Sequence, residues 1–340
     1  MKIGKVSEPI LKRSVLKYLQ PNNDVECRGA AVGADCAFFS KIEAVNSGKS
    51  TEKAELAVAT ASVSGEKSPR VAAHAIMRAT NNLAAGGAVP FAVQLHIMLP
   101  ERYREIALKR IMEAACETAE TLKVTISGGH TEVLSEITTP IVSVTALGWK
   151  QTVSVTNEKA EKATARSNGT EVTPGQEIVM TKWIGISESS RLAQEREEEL
   201  LTRYPLFFIK SAQNLEQYYS IIPEAATAIK SGVTAMHDVA GGGIFGALWE
   251  LGERFGVGLQ VDIKKIPIKQ ETVEVCEFFG YNPYEIRSDG ALLMVTSEGR
   301  ALVEALAAEG IFAEVIGTTT DGNEKVIINE DEKRFLEPPR

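Results

Sequence analysis

MHDVAGGGIFGALWEL, Met236 to Leu251, is the stretch on which the reading of the fold turns. Val233 to Met236 makes a short strand-like run, the polar pair His237-Asp238 follows, and three glycines, Gly241, Gly242 and Gly243, lead into an amphipathic helix from about Ile244 to Phe255. A strand that leaves through glycines into a helix start exposes backbone N–H groups at the positive end of the helix dipole, which is a way to hold phosphate. The spacing is that of neither the P-loop nor the dinucleotide fingerprint. Glycines that merely let a helix and a strand pack closely are therefore the competing reading.

Outward from this stretch, strands and helices mix in both halves of the chain without strict alternation, which predicts two α+β domains rather than one doubly wound sheet. Ser68-Pro69 reads as an N-cap with proline at the first helical position, opening a helix that carries Val71, Ala72, Ala75, Ile76, Ala79 and Leu83 and ends at Gly86-Gly87. A strand is predicted at Phe91 to Met98. A second helix follows with Leu108, Ile111, Met112, Ala115, Ala119 and Leu122 on one face, then strands at Val124 to Ile126 and Ile141 to Leu147. From Gln151 to Gly175 the composition turns to Lys, Glu, Ser, Thr, Asn and Gly. This places an N-terminal domain at 1–150, a linker at 151–175 and a C-terminal domain at 176–340. In the last, strands are predicted at Glu177 to Thr181, Leu259 to Ile263 and Ala291 to Thr296, a solvated helix at Ser187 to Arg203, and helices at Pro223 to Lys230 and Glu298 to Ala308.

Composition restricts the function classes. The chain has 340 residues, 44% hydrophobic and 24% charged, enough to bury substantial cores. A formal net charge of -8 repels nucleic-acid backbones and anionic lipid, so neither is an expected partner. With no spanning apolar run and no signal-peptide layout, the expected location is the cytoplasm. Cys27, Cys36, Cys116 and Cys276 show no metal-ligand spacing and read as reduced thiols, Cys116 on an apolar helix face and Cys36 in a ligand-facing loop.

Three further segments carry chemistry-bearing residues. Gly33-Ala34-Asp35-Cys36-Ala37 is a small-residue turn whose carboxylate suits magnesium or a ribose, although an Asp in such a turn is more often a turn former. Ser127-Gly128-Gly129-His130-Thr131-Glu132 offers converging backbone amides, a hydroxyl, an imidazole and a carboxylate; the alternative is a decorated hairpin loop. His130, Glu132 and Asp238 are the candidates for catalysis. Arg287-Ser288-Asp289-Gly290 places an acid before a strand, and Lys182 stands at the end of another, where it would neutralise a phosphate or remain an ordinary surface lysine.

In order along the chain, these pieces resemble the AIR synthase superfamily, which includes AIR synthase, thiamine-monophosphate kinase, selenophosphate synthetase and the HypE-type hydrogenase-maturation proteins. The HypE type is nearest. The opening Gly4-Lys5 to Leu16, the turn at Gly33 to Ala37, ATNNLAAGGAVP at Ala79 to Pro90, SGGHTEV at Ser127 to Val133, MHDVAGGGIFGALWEL, and Ser288-Asp289-Gly290 with Val315-Ile316-Gly317 are similar to that family's motifs. The resemblance implies a two-domain PurM-like α+β fold: an N-terminal domain whose strands build a dimer-spanning β-barrel, and a C-terminal α+β sandwich. It further implies a homodimer that binds ATP with Mg2+ and activates a small acceptor or a partner-protein group. The implied ligands are Asp35, Gly128, Gly129, Thr131, Lys182, Gly241, Gly242 and Gly243 for the nucleotide, and Asp35, Asp238 and Asp289 for the metal.

The chain departs from the pattern at several places. Ala34, Ala61 and Asn82 stand where the family often has acids, and His130 replaces a family aspartate, which implies reduced dependence on magnesium. HypE proteins end in a cysteine that carries a carbamoyl group, whereas this sequence closes on Leu336-Glu337-Pro338-Pro339-Arg340. A non-catalytic nucleotide-binding scaffold and a small-molecule kinase resembling the thiamine-monophosphate enzyme are the alternative functions. The lost acids speak for the first and against the second.

Overall fold

The computed structural model describes residues 8–18, 27–28, 31–43, 53–150 and 172–338. Most of the junction, the opening Gly4-Lys5 and Arg340 lie outside the described residues. The chain divides into two compact units, Pro21–Gly29 with Asp35–Gln151, and Met1–Gln20 with Ala30–Ala34 and Thr152–Arg340. The start of the chain therefore groups with the C-terminal unit. Helix α1 (Glu8–Ser14) is tied there, because the Trp249 indole Nε1 donates to Glu8 Oε2 at 3.0 Å.

The first unit is a six-stranded sheet ordered β1-β2-β3-β6-β4-β5, where β1 is Cys27–Arg28, β2 Ala37–Glu43, β3 Lys53–Ser64, β4 Ala88–Pro100, β5 Thr125–Leu134 and β6 Ile141–Lys150. Neighbours are antiparallel except β4 and β5, which run parallel. Helices α2 (Val71–Ala85) and α3 (Glu105–Leu122) bury one face with Ile76, Leu83, Ile111, Val93, Leu95, Val142 and Val144. The small residues Ala72, Ala75 and Ala79 let α2 approach the sheet closely. Ser68 Oγ accepts the Arg70 amide at 3.1 Å, but the helix starts only at Val71, with Arg70 at its N-cap and no side-chain cap, so Ser68-Pro69 form the turn before it and not its first residues. The opposite face is polar: Thr60 and Thr145 share a hydrogen bond at 3.2 Å, and Ser62 donates to Ser143 at 3.0 Å. Among the described residues this sheet is open, with β1 and β5 at its edges. The barrel implied by the resemblance is not closed within one chain.

The second unit holds a seven-stranded sheet, ordered β13-β12-β9-β11-β7-β10-β8, with β7 Glu177–Thr181, β8 Ala235–Val239, β9 Gly258–Asp262, β10 Ala291–Thr296, β11 Ala313–Thr320, β12 Lys325–Asn329 and β13 Glu332–Phe335. Its helices are α4 (Ile186–Glu195), α5 (Glu197–Leu200), α6 (Leu206–Gln213), α7 (Ile222–Lys230), α8 (Gly243–Phe255), α9 (Gln270–Phe279) and α10 (Gly299–Ala308). Strand β10 is buried along its whole length, which explains its unbroken apolar run. The helix α8 buries Ile244, Leu248 and Leu251 with Leu259, Val261, Leu293 and Val295.

Three expectations need correction. The stretch Ser187 to Arg203 is two helices, and α4 is half-buried: Leu192 and Ala193 pack with Leu200, Ile209, Ala212 and Val275 against α6 and α9. Cys116 is exposed, because it falls outside the arc that Ile111, Ala115 and Ala119 bury. Cys36 is buried against the Gly86 turn rather than facing a ligand.

Candidate functional site

The topology of the second sheet gathers several sequence candidates. Strand β7 runs antiparallel to β10, and β10 antiparallel to β8. The exits of β7 and β8 and the entry to β10 therefore share one end of the sheet. Three hydrogen bonds lock the turns there: the Ser288 amide donates to Ala240 O at 3.3 Å, the Asp289 amide to Ser187 Oγ at 2.9 Å, and the Gly185 amide to Ser288 Oγ at 2.6 Å. Asp238 is half-buried on β8 and Asp289 buried in the turn before β10.

The three glycines after β8 do different things. Gly243 has φ 63°, and a Cβ there would stand 2.7 Å from Ile286 O; its amide already donates to Ala240 O at 3.2 Å. It is a close-packing glycine with a satisfied amide, which removes it from the phosphate-binding set. Gly241 and Gly242 are exposed, and nothing lies within 4 Å of a Cβ built on Gly241. Their amides remain candidates for an anion at the start of α8. Beside Gly242 and Gly246 lies a cavity of about 320 Å³. Glu285 and Glu337 share its wall with Arg334, so it is not a purely cationic phosphate pocket.

Lys182 requires the clearest correction. Its ammonium pairs with Glu224 Oε1 at 2.5 Å and donates to Tyr218 O at 2.9 Å and Ser220 O at 2.6 Å, which occupies all three of its donors. Burial pushes its pKa down, and Glu224 opposes that shift. Lys182 thus clamps the Tyr218 to Ser220 segment, against which Gly290 (φ 109°) packs, and is not available to a phosphate. His237 is buried, and its Nε2 lies 3.2 Å from Glu250 Oε2, joining β8 to α8.

In the first unit, Asp35 is half-buried at the entry to β2. The SGGHTEV segment is neither a loop nor a hairpin; it is part of strand β5. Gly128 and Gly129 are at φ 139° and 153°, and Gly129 faces Leu95 so closely that a Cβ would lie 2.7 Å from the Leu95 carbonyl carbon. Gly129 is therefore needed for the approach of β5 to β4, while Gly128 has nothing within 4 Å and Thr131 is exposed. His130 is paired with His96 of β4, and Glu132 with Met98. His96 Nε2 lies 2.8 Å from Glu132 Oε1, and the two imidazole centroids are 5.5 Å apart. The three side chains bring ligand atoms within 4.8 Å of one another. Sequence reasoning missed His96, although strand alternation puts it on the same polar face as Gln94.

Residues 31–149 match the AIR synthase related protein N-terminal domain, and residues 173–329 the AIR synthase related protein C-terminal domain. The chain belongs to the AIR synthase related family. Among its relatives is the carbamoyl dehydratase HypE of Rhodobacter capsulatus, 28% identical over 72% of this chain and 68% of that protein. HypE of Azotobacter vinelandii is 26% identical over 76% and 69%. The fold is shared with hydrogenase maturation protein HypE in complex with ATP (TM-score 0.68, 17% identity, 87% of this chain and 89% of the other). It is shared also with ThiL complexed with AMPPCP and TMP (TM-score 0.70, 18% identity, 99% of each chain). No helix among the described residues is long and apolar enough to cross a membrane.

Proposed function

We propose that this chain is an ATP-binding, HypE-like protein that uses ATP to activate an oxygen on a small acceptor or on a partner-protein group, in the maturation of hydrogenase or another metallocofactor. One observation carries the reading: in a chain of this family, the exposed Gly241 and Gly242, Asp238 and Asp289 are drawn to one end of the second sheet. Transfer of the γ-phosphoryl group to a carbonyl oxygen forms an O–P bond, releases ADP, and turns a poor leaving group into a good one. For a carbamoyl acceptor, departure of phosphate with loss of protons from nitrogen completes a dehydration. Carboxylate oxygens are suitable donors for Mg2+, so Asp238 and Asp289 in the second unit and, separately, Asp35 in the first are the residues that would hold such an ion. Bound there, the ion would neutralise phosphate charge.

On this reading the protein works as a cytoplasmic homodimer. Its own Cys276 is a poor acceptor: burial pushes the thiol up to about 11 and shields the sulfur. The alternative of a non-catalytic nucleotide-binding scaffold draws on Ala34, Ala61 and Asn82, each lacking the carboxylate that the resemblance leads one to expect.

Calorimetric titration with ATP and a non-hydrolysable analogue, with and without Mg2+, followed by an ADP-release assay, tests the proposal. Binding, weakened by Asp35→Ala in a variant that stays folded, together with slow ADP release, is the expected outcome. Binding without release, even in the presence of carbamoyl-type acceptors, favours the scaffold. Absence of binding at concentrations on the order of millimolar removes the function while leaving the fold intact.

A further inference from the structure

The polar face of the first sheet brings two imidazoles and a carboxylate together. We propose that His96, His130 and Glu132 form a site for a divalent transition-metal cation of the zinc class, held across the β4–β5 pair with coordination positions left open. All three residues lie in the first sheet; His130 and Glu132 flank Thr131 in the segment that the nucleotide reading also uses, so the cation is tested in the absence of nucleotide.

The placement follows from register. His96 and His130 are direct partners in the parallel pair, and Glu132, two residues beyond His130, returns to the same face. A simple hydrogen bond accounts for His96 and Glu132, which are 2.8 Å apart, but not for a second imidazole whose ligand nitrogen is within 4.8 Å of both. Two imidazoles with one carboxylate suit zinc-class ions, whereas magnesium prefers an all-oxygen shell with several waters. With Zn–N and Zn–O near 2.0–2.1 Å, tetrahedral donors stand about 3.3 Å apart, so His130 must close by at most about 1.5 Å from the 4.8 Å limit while the 2.8 Å His96–Glu132 pair opens by about 0.5 Å. His130 is exposed and can make that adjustment by side-chain rotation. Three protein ligands leave at least one position for water or an incoming oxygen, the pattern of a working rather than a sealed zinc site. The bound ion would also fasten the edge strand β5 to β4.

The test uses the full chain, stripped of metal by chelation and kept under a non-chelating reductant. Calorimetric titration with zinc chloride, without nucleotide, is expected to give one Zn2+ per chain with a dissociation constant on the order of micromolar or tighter. His96→Ala and His130→Ala should each weaken it by about tenfold or more, and Mg2+ should not compete. The chain has four histidines, and His74 and His237 are buried. Diethylpyrocarbonate modification of the unaltered protein, mapped by mass spectrometry, should therefore label His96 and His130 in the apo form and spare both when zinc is added. This footprint decides the matter even if a variant fails to fold. No zinc binding at concentrations on the order of 100 µM, affinity in both histidine variants unchanged from the unaltered protein, or an unchanged footprint overturns the proposal. An ATP titration that fails leaves this result untouched.

Discussion

Replacing Gly129 with alanine separates two roles that its sequence motif leaves open, anion binding and strand packing. The new Cβ would stand 2.7 Å from the Leu95 carbonyl carbon and 2.8 Å from the Leu95 nitrogen, below the 3.0 Å that real Cβ atoms respect. Relief requires β5 to move away from β4 locally, which breaks neighbouring ladder bonds. Two such bonds, at about 0.5–1.5 kcal/mol each, contribute about 1–3 kcal/mol. An L side chain at φ 153° adds strain on the order of 1–2 kcal/mol. Gly129→Ala should thus cost about 2–5 kcal/mol. Gly128→Ala is the control: its φ is 139° but nothing lies within 4 Å of the added carbon, so only the backbone strain remains. Urea denaturation followed by far-ultraviolet circular dichroism, with hydrogen exchange of the β4 and β5 amides, measures both. The packing argument is refuted if Gly129→Ala is within about 0.5 kcal/mol of Gly128→Ala, a margin typical of measured differences between independent sites.

Two other predictions concern polar groups in the second unit. Lys182→Ala leaves Glu224 buried beside its lost partner and should cost about 3–5 kcal/mol, whereas Lys182→Ala with Glu224→Ala should recover part of the loss; a double-mutant cycle showing no coupling would remove the clamp from the account. Tyr204 donates to Glu274 Oε2 at 2.8 Å, and burial, then this hydrogen bond, push its hydroxyl up to about 12. Because the folded state holds this proton more tightly than the unfolded state (about 10), the associated stability is complete below pH about 10 and is lost as pH rises through about 12. Tyr204→Phe should flatten that part of the stability profile and leave the tyrosinate absorbance titration unchanged below pH about 11; a fall in the number of tyrosines ionising at their ordinary pKa would count against the assignment.

The motifs were legible because they are local. A strand, glycines and a helix start can be read from Met236 to Leu251 through periodicity and capping chemistry, and the observed β8 and α8 begin within two residues of that reading. Strand β5 was truncated at Ile126 because Gly128 and Gly129 have no side chains to show alternation and are usually loop formers. Helix α4 read as solvated because Glu188, Arg191 and Glu195 pair with one another on its polar side, while Ser187, Ser189 and Ser190 occupy buried positions as small polar residues. Apolar periodicity does not register a face of that kind.

The amino-acid order alone determined the two-domain α+β class, the family resemblance and the identity of the glycine and acid motifs, since each depends on neighbours a few residues apart. Tertiary structure decided which members of those motifs are available for chemistry. Lys182 is withdrawn by Glu224, Tyr218 and Ser220, 36 to 42 positions further along, and Gly243 by packing against Ile286. His96 gains His130 and Glu132 only because β4 and β5 pair in parallel at one register. Burial and cross-strand pairing are properties of distant residues brought together, and local spacing carries no record of them.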